Sequence, residues 1–318
     1  MGKYLKENYL YSLLLLIALI SLFGAIVYRI YALNMLGIIL SLGLALVVFI
    51  IVQFFLFAKH NKNLLTSQYK FNNNIKEVSR PFSRLTNILL IIGYVLFFII
   101  CFYFLFKSQT TSALISPWQV ISNYFFITYA LATAFLLIIL TKKIKFSLFL
   151  ISLHYFLSFS IALFIYKIGY GFDPFIHQAT VDLIAKTGEV LPKPFYYLGQ
   201  YSLTVILHKI TSLALIWLDK LLVPVLASVF LPLVLFNFLK KWVKDTKSIL
   251  LILLTLLILP FTPFILTTPQ NLAYLFLILT VFCGLTCFSK VELIITYLFA
   301  FTTLAIHPIA GIPALLFS

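Results

Sequence analysis

Apolar runs of about 20 residues recur along nearly the whole chain, and this pattern restricts the fold more than any other feature. Each run can cross a hydrocarbon core of about 30 Å as a helix. A closed barrel would instead need segments of about ten residues with alternating polarity. Since 63% of the 318 residues are hydrophobic and only 10% are charged, a soluble globular fold is excluded. The sequence predicts an all-α integral membrane protein, a polytopic helical bundle.

The apolar runs predict about nine to ten membrane spans. They cover residues 9–31, 34–58, 87–106, 120–140, 147–166, 220–239, 249–266, 271–288 and 292–306, and a tenth run opens at Ile309. The segment 200–217 is predicted as a helix in the outer membrane interface, with Trp217 as its anchor. His208, Lys209 and Asp219 are expected to reach the lipid headgroups from this segment.

Basic residues outnumber acidic ones by 23 to 8, and they are concentrated in short loops between the spans. If the N-terminus is cytoplasmic, most of them lie on the cytoplasmic side, as the positive-inside rule requires. This orientation places the loop 167–219 outside the cytoplasm and the basic linker 59–86 inside it. The basic residues form no single soluble face, so nucleic acid is not an expected partner. We expect the plasma membrane of a prokaryote.

The outer loop differs from the rest of the chain because it collects acids and aromatic residues. Asp173, Asp182 and Glu189 are three of only eight acids in the protein. An Asp followed by Pro at the first helical position, with Gly188 as the stop, predicts an amphipathic helix over 174–187. Asp173 and Asp182 are separated by about 180° around this helix, so they cannot face one substrate together.

Side chains suited to binding a substrate follow along the same loop. His177 lies one helical turn after Asp173, and Lys193 is a candidate for contact with a phosphate. Tyr196 and Tyr197 can stack on sugar rings, although aromatic residues at this depth also form an interfacial belt. Asp173 and Lys193 have structural interpretations as well, as a helix cap and as a snorkelling cation.

The sequence Gly171-Phe-Asp-Pro-Phe-Ile-His-Gln178, followed by Gly188, Pro192 and Tyr196-Tyr-Leu-Gly199, resembles the first extracytoplasmic loop of GT-C-fold glycosyltransferases. The Asp-Pro-aromatic start is most similar to that of oligosaccharyltransferase catalytic subunits, and many polyprenyl-phosphate-dependent transferases share the general pattern. Thr268-Pro-Gln-Asn271 and His307-Pro308 look like positions that line the cavity in this superfamily.

This resemblance implies a membrane enzyme that transfers a sugar from a polyprenyl-phosphate-linked donor to a glycan, lipid or protein on the outer face. The acid at the start of the loop acts as base or orients the acceptor in such enzymes, and Asp173 occupies that position. His177, Asp182, Lys193, Tyr196, Tyr197 and His307 are then the expected substrate-binding residues. A divalent cation, Mg²⁺ or Mn²⁺, is the expected cofactor.

The resemblance also implies a division of the chain. The GT-C-like core would cover residues 147–318, and residues 1–146 would form an N-terminal extension of four helices. Because the sequence stops inside an apolar run at Ser318, we expect a C-terminally truncated member of the superfamily.

Two other functions fit the same sequence. A flippase or transporter for a lipid-linked glycan would place ionisable residues in mid-span, where His154 is the clear example. A non-catalytic membrane scaffold would use Asp173 only as a helix cap. Cys101, Cys283 and Cys287 all fall inside spans, so neither a disulfide framework nor a Cys/His metal cluster is predicted.

Overall fold

The computed structural model describes residues 2–67, 81–142, 144, 146–259, 262–287 and 289–318. Within these ranges the chain forms thirteen α-helices, three short 3-10 turns and one isolated bridge between Thr110 and Tyr166. The helices are α1 (Gly2–Ile30), α2 (Met35–Ser67), α3 (Pro81–Lys107), α4 (Asn123–Thr141), α5 (Ser147–Phe159), α6 (Ile161–Ile165), α7 (Asp173–Thr187), α8 (Leu198–Thr211), α9 (Leu215–Leu239), α10 (Thr246–Thr255), α11 (Pro269–Gly284), α12 (Lys290–Ile306) and α13 (Pro308–Phe317).

The predicted all-α membrane architecture is confirmed. Five helical segments are long and apolar enough to cross a membrane: Tyr9–Ile30, Met35–Ala58, Arg84–Lys107, Asn123–Thr141 and Leu215–Leu239. Four shorter apolar segments have 10–17 residues: Ser147–Phe159, Thr246–Ile258, Pro269–Gly284 and Pro308–Phe317. The count of nine to ten spans and the orientation in the membrane stay predictions. Positions 68–80 of the predicted basic linker lie outside the described residues.

The chain divides into two compact units that do not follow its order. The first contains residues 1–76, 175–219 and 268–318, and the second contains residues 77–174 and 220–267. The predicted boundary at residue 146 therefore falls inside the second unit. Compact units follow packing between distant segments, whereas the predicted domains follow position along the chain.

In the first unit, α1 packs against α2, α8 and α12, and small residues allow the close approach. A Cβ added at Gly24 on α1 would lie 2.7 Å from the Cβ of Ser202 on α8, so the two helices meet almost backbone to backbone. The Ser21 hydroxyl donates a hydrogen bond of 2.9 Å to the carbonyl of Gly199. The Thr302 hydroxyl on α12 donates to the carbonyl of Ala18 at 3.2 Å. These polar contacts join helices that are far apart in sequence.

The segment 200–217 differs from its prediction as one interfacial helix. The backbone enters the left-handed region at Ser212, with φ 58°, and this residue ends α8 before α9 begins at Leu215. Every residue of α8 from Leu198 to Ile206 is buried, because the helix packs inside the first unit. Asp219, expected at the headgroups, lies near the start of α9 and is only 8% exposed. Trp217 is half-exposed, as an interfacial anchor requires.

In the second unit, α3, α4, α5 and α6 share a core that includes Cys101, Phe125 and Leu157. A polar network crosses it around His154, which is 1% exposed. The Thr133 hydroxyl donates to the carbonyl of Tyr129 at 2.8 Å and lies 3.1 Å from Nε2 of His154. Since a hydroxyl has one proton, Nε2 of His154 must be the donor to Thr133. Nδ1 of His154 is therefore an acceptor, and it is buried without a partner among the described residues.

Candidate functional site

The helix predicted over 174–187 is confirmed as α7, which runs from Asp173 to Thr187. Gly188 follows it with φ 87°, a left-handed conformation that glycine adopts without strain. Asp173 is the first helical residue and is exposed. Its carboxylate makes neither a hydrogen bond nor an ion pair with any residue that the structure describes. The side chain is therefore open to solvent and to a ligand, and the interpretation as a helix cap has no capping bond in its support.

One turn after Asp173, His177 belongs to a group of four side chains, His177, Tyr197, Tyr201 and His307, which we call the His–Tyr cluster. Nδ1 of His177 lies 2.8 Å from the hydroxyl oxygen of Tyr201. The Tyr197 ring contacts both imidazoles, with ring-centroid distances of 5.1 Å to His177 and 5.3 Å to His307. Residues from α7, α8 and the junction of α12 with α13 thus meet in the first unit.

The position of Tyr197 depends on an unusual backbone conformation. Tyr197 precedes α8 with φ 73°, which non-glycine residues adopt rarely and at a cost of about 1–3 kcal/mol. The conformation occurs where the chain turns from the stretch after Pro192 into α8, and the Tyr197 ring there contacts both histidines. Such strain is concentrated at functional sites, so it supports a functional role for the cluster.

Burial of the cluster sets the protonation of two of its members. It raises the pKa of Tyr201 to about 12, although a hydrogen bond to Thr180 opposes the shift, so the phenol keeps its proton at neutral pH. Desolvation lowers the pKa of His307 below its ordinary value. Nδ1 of His307 also accepts a hydrogen bond of 3.3 Å from the backbone N–H of Ile309 at the start of α13. A neutral His307 therefore caps this helix.

Gly199 brings the start of α8 close to the end of α12. A Cβ at this position would lie 2.7 Å from Cγ1 of Ile306 and 2.9 Å from the Ser21 hydroxyl oxygen. Ile306 is adjacent to His307, and Gly199 is two residues from both Tyr197 and Tyr201. The absence of a side chain at Gly199 therefore lets the two parts of the His–Tyr cluster approach each other.

The other predicted site residues lie outside the cluster. Asp182 forms an i,i+4 salt bridge with Lys186 and lies on another side of α7. The Lys193 ammonium donates to the carbonyl of Tyr31 and lies 3.3 Å from the Glu189 carboxylate, so it already has partners in the protein. Tyr196 is 56% exposed, with its ring 6.1 Å from that of Tyr197. Its ring is available to a ligand.

Sequence reasoning missed the contribution of α1, which it assigned to an N-terminal extension. Tyr28 is fully buried, and its hydroxyl accepts a hydrogen bond of 3.1 Å from the backbone N–H of Val190. Arg29 lies over the Phe195 ring, with 4.6 Å between the guanidinium carbon and the ring centroid. An adjacent aromatic residue and cation at the end of a span were visible in the sequence. Their partners, more than 160 residues further on, were not.

The donor atoms of the cluster do not match a divalent cation of the Mg²⁺ type. Among the described residues, no group of three or more His, Cys, Asp or Glu side chains is placed to hold a metal ion. The cluster offers two imidazoles and two phenols, whereas Mg²⁺ prefers an octahedron of carboxylate, phosphate and water oxygens. The divalent cation stays a prediction, and no step below depends on it.

Comparison with known proteins gives no relative, since neither a protein-family model, nor a curated protein, nor a solved structure matches this chain.

Proposed function

We propose that the protein is a membrane glycosyltransferase that moves a sugar from a polyprenyl-phosphate-linked donor to an acceptor on the extracytoplasmic face. One observation carries the proposal. The exposed carboxylate of Asp173 has no partner in the described part of the chain, and it begins the helix that carries His177 one turn later into the His–Tyr cluster. An open acid one helical turn before an imidazole on the same helix is suited to proton transfer on a polar, ring-shaped substrate.

Asp173 acts as the base in this reaction. Its carboxylate accepts the proton of the acceptor's hydroxyl or amide as the acceptor atom forms a bond to the anomeric carbon. The bond from that carbon to the donor's phosphate oxygen breaks, and the phosphate leaves with the electron pair. The transition state has oxocarbenium character, so a nearby carboxylate also stabilises it electrostatically.

The loop after α7 provides the surface for the sugar. Tyr196 exposes its ring, which can stack on a pyranose face. The Tyr197 ring packs against the imidazoles of both His177 and His307, and we assign it a positioning role. His177 is oriented by the Tyr201 hydroxyl and is the cluster member that follows Asp173 on the same helix. It is therefore the first candidate for a hydrogen bond to the substrate.

Lys193 and Asp182, the two predicted substrate-binding residues that already have partners in the protein, are treated differently in the proposal. The Lys193 ammonium would have to exchange the Glu189 carboxylate for a donor phosphate. Asp182 is engaged by Lys186 on another side of α7. We keep Lys193 as a phosphate contact in the proposal and use Asp182 as the matched control.

The test measures transfer from a radiolabelled pool of polyprenyl-phosphate-linked sugars by the purified protein in lipid nanodiscs. We expect Asp173→Asn and Asp173→Ser to lower the rate about 100-fold or more, since removal of a general base costs about 10²–10⁴. Asn and Ser are both good helix caps, so neither change harms a purely structural Asp173. Asp182→Asn, an acid-to-amide change on the same helix, should transfer at nearly the wild-type rate.

Equal rates for wild type and Asp173→Asn would refute the assignment of the base. A wild-type protein that transfers no sugar from any donor in the pool would contradict the proposed activity itself. Retained folding of each variant is checked by its helical circular dichroism and its elution from a sizing column.

A second candidate, a flippase or transporter for a lipid-linked glycan, is favoured by His154. This imidazole is buried in the second unit, and its Nδ1 has no partner in the part of the chain that the structure describes; ionisable residues inside membrane helices often belong to transport pathways. Movement of a fluorescent lipid-linked glycan across vesicles that lack any acceptor, lost in His154→Ala but kept in Asp173→Asn, would favour this function over transfer.

A further inference from the structure

Arg29, the penultimate residue of α1, is held in a defined position by the loop that precedes α8. Its Nη1 donates a hydrogen bond of 3.4 Å to the carbonyl of Pro194, and its guanidinium carbon lies 4.6 Å from the centroid of the Phe195 ring. Phe195 is 78% exposed, and Arg29 is exposed as well. The cation is thus fixed at the protein surface rather than free to sample many rotamers.

This geometry leaves the edge of the guanidinium available. The guanidinium carbon lies over the Phe195 ring, and five N–H bonds point outward in the plane of the group. The Pro194 carbonyl takes one of them, and Arg29 has no other hydrogen-bond acceptor among the residues that the structure describes. A stacked guanidinium with a free edge is the arrangement that binds a phosphate through two parallel hydrogen bonds.

The charge of Arg29 is also uncompensated. The nearby Glu189 carboxylate lies 3.3 Å from Lys193, whose ammonium also donates to the Tyr31 carbonyl and lies 5.6 Å from the Tyr28 ring. Within the described ranges, Arg29 forms no ion pair. Glu189 and Lys193 neutralise each other, and Arg29 remains as the local positive charge that attracts an anion.

The position along α1 indicates the kind of anion. Arg29 is next to the end of the apolar segment Tyr9–Ile30, and the end of a span lies at the depth of lipid headgroups. The anion concentrated at that depth is phosphate. We propose that Arg29, stacked on Phe195, forms a specific site for the phosphate of an anionic lipid headgroup. This site does not depend on the transfer activity proposed above.

The experiment measures binding of phosphatidic acid to the full chain by native mass spectrometry, in detergent with phosphatidylcholine as the competing lipid. Arg29→Gln keeps a polar side chain but removes the positive charge and the paired N–H donors of the guanidinium. It should weaken binding about tenfold or more. Phe195→Leu keeps an apolar contact but removes the ring, and it should weaken binding about threefold. Lys186→Gln removes an exposed cation of the same unit that is already paired with Asp182, and it should leave binding unchanged.

Three results would overturn the site. The first is equal affinity of Arg29→Gln and wild type for phosphatidic acid. The second is an equal loss in Lys186→Gln, because a general charge effect would then explain the binding. The third is displacement of the lipid by inorganic phosphate at a comparable concentration, which would assign the site to free phosphate.

Discussion

Replacing Gly199 with alanine tests whether the close approach of α8 and α12 builds the His–Tyr cluster. The new Cβ would lie 2.7 Å from Cγ1 of Ile306, 2.9 Å from the Ser21 hydroxyl oxygen and 3.0 Å from the backbone nitrogen of Ile306. Ordinary contact begins near 3.4 Å, so the helix ends must separate by roughly 0.4–0.7 Å. Because one of these contacts is with a backbone atom of Ile306, the neighbouring groups can move away only in part. We expect a destabilisation of about 1–3 kcal/mol, the usual cost of overpacking.

Gly43→Ala is the matched control. Gly43 lies inside α2, and a Cβ there would meet nothing within 4 Å. Alanine is the better helix former by about 0.8–1.0 kcal/mol, so this variant should be as stable as wild type or more stable. The midpoint of thermal unfolding, followed by helical circular dichroism in detergent, should fall for Gly199→Ala and not fall for Gly43→Ala. An unchanged midpoint for Gly199→Ala would refute the reasoning about helix approach.

Three further predictions concern single side chains. Burial lowers the pKa of His307 below 6.5, so the unfolded chain takes up a proton first and stability falls as the pH drops from about 6.5 towards the folded pKa. His307→Asn keeps a capping side chain, and the melting midpoint between pH 7 and pH 5 should change less than in wild type. Tyr201→Phe removes the hydroxyl that meets His177 and should cost about 0.5–1.5 kcal/mol, with a larger relative loss of transfer than of stability. In the second unit, His154→Gln can still donate to Thr133 and should melt closer to wild type than His154→Leu, which leaves the hydroxyl without its donor; equal midpoints would contradict the hydrogen-bond assignment.

The local parts of the fold were predictable because they depend on neighbouring residues. Apolar runs located the long helices, and the Asp-Pro start with Gly188 as the stop located α7. The break at Ser212 was not predictable, since the left-handed conformation there follows from packing rather than from a glycine. The hydropathy pattern also did not predict that the polar residues of α8 are buried.

The His–Tyr cluster was predictable only in part. Loop composition identified His177 and Tyr197, and the resemblance of His307-Pro308 to a cavity-lining position identified His307. His307 meets the other two from a helix junction more than 100 residues further on, and no periodicity in one sequence encodes such pairing. The role of α1 was missed for the same reason. The i,i+4 partner of Asp182, Lys186, was readable from the spacing, and a substrate-binding role of Asp182 stays a prediction.

The polar contacts of α1 also determine when the first unit can be completed during synthesis. The Ser21 hydrogen bond can form only after Gly199, 178 residues later, has been synthesised. The Ala18 carbonyl can accept its hydrogen bond only after Thr302, 284 residues later, has been synthesised. At elongation rates of about 5–20 residues per second, the second interval lasts roughly 15–60 s. Throughout that time the small and polar face of α1 must remain next to lipid, insertion machinery or α2. The small and polar face of α1 therefore stays without its partners on α8 and α12 until each of those helices has been synthesised.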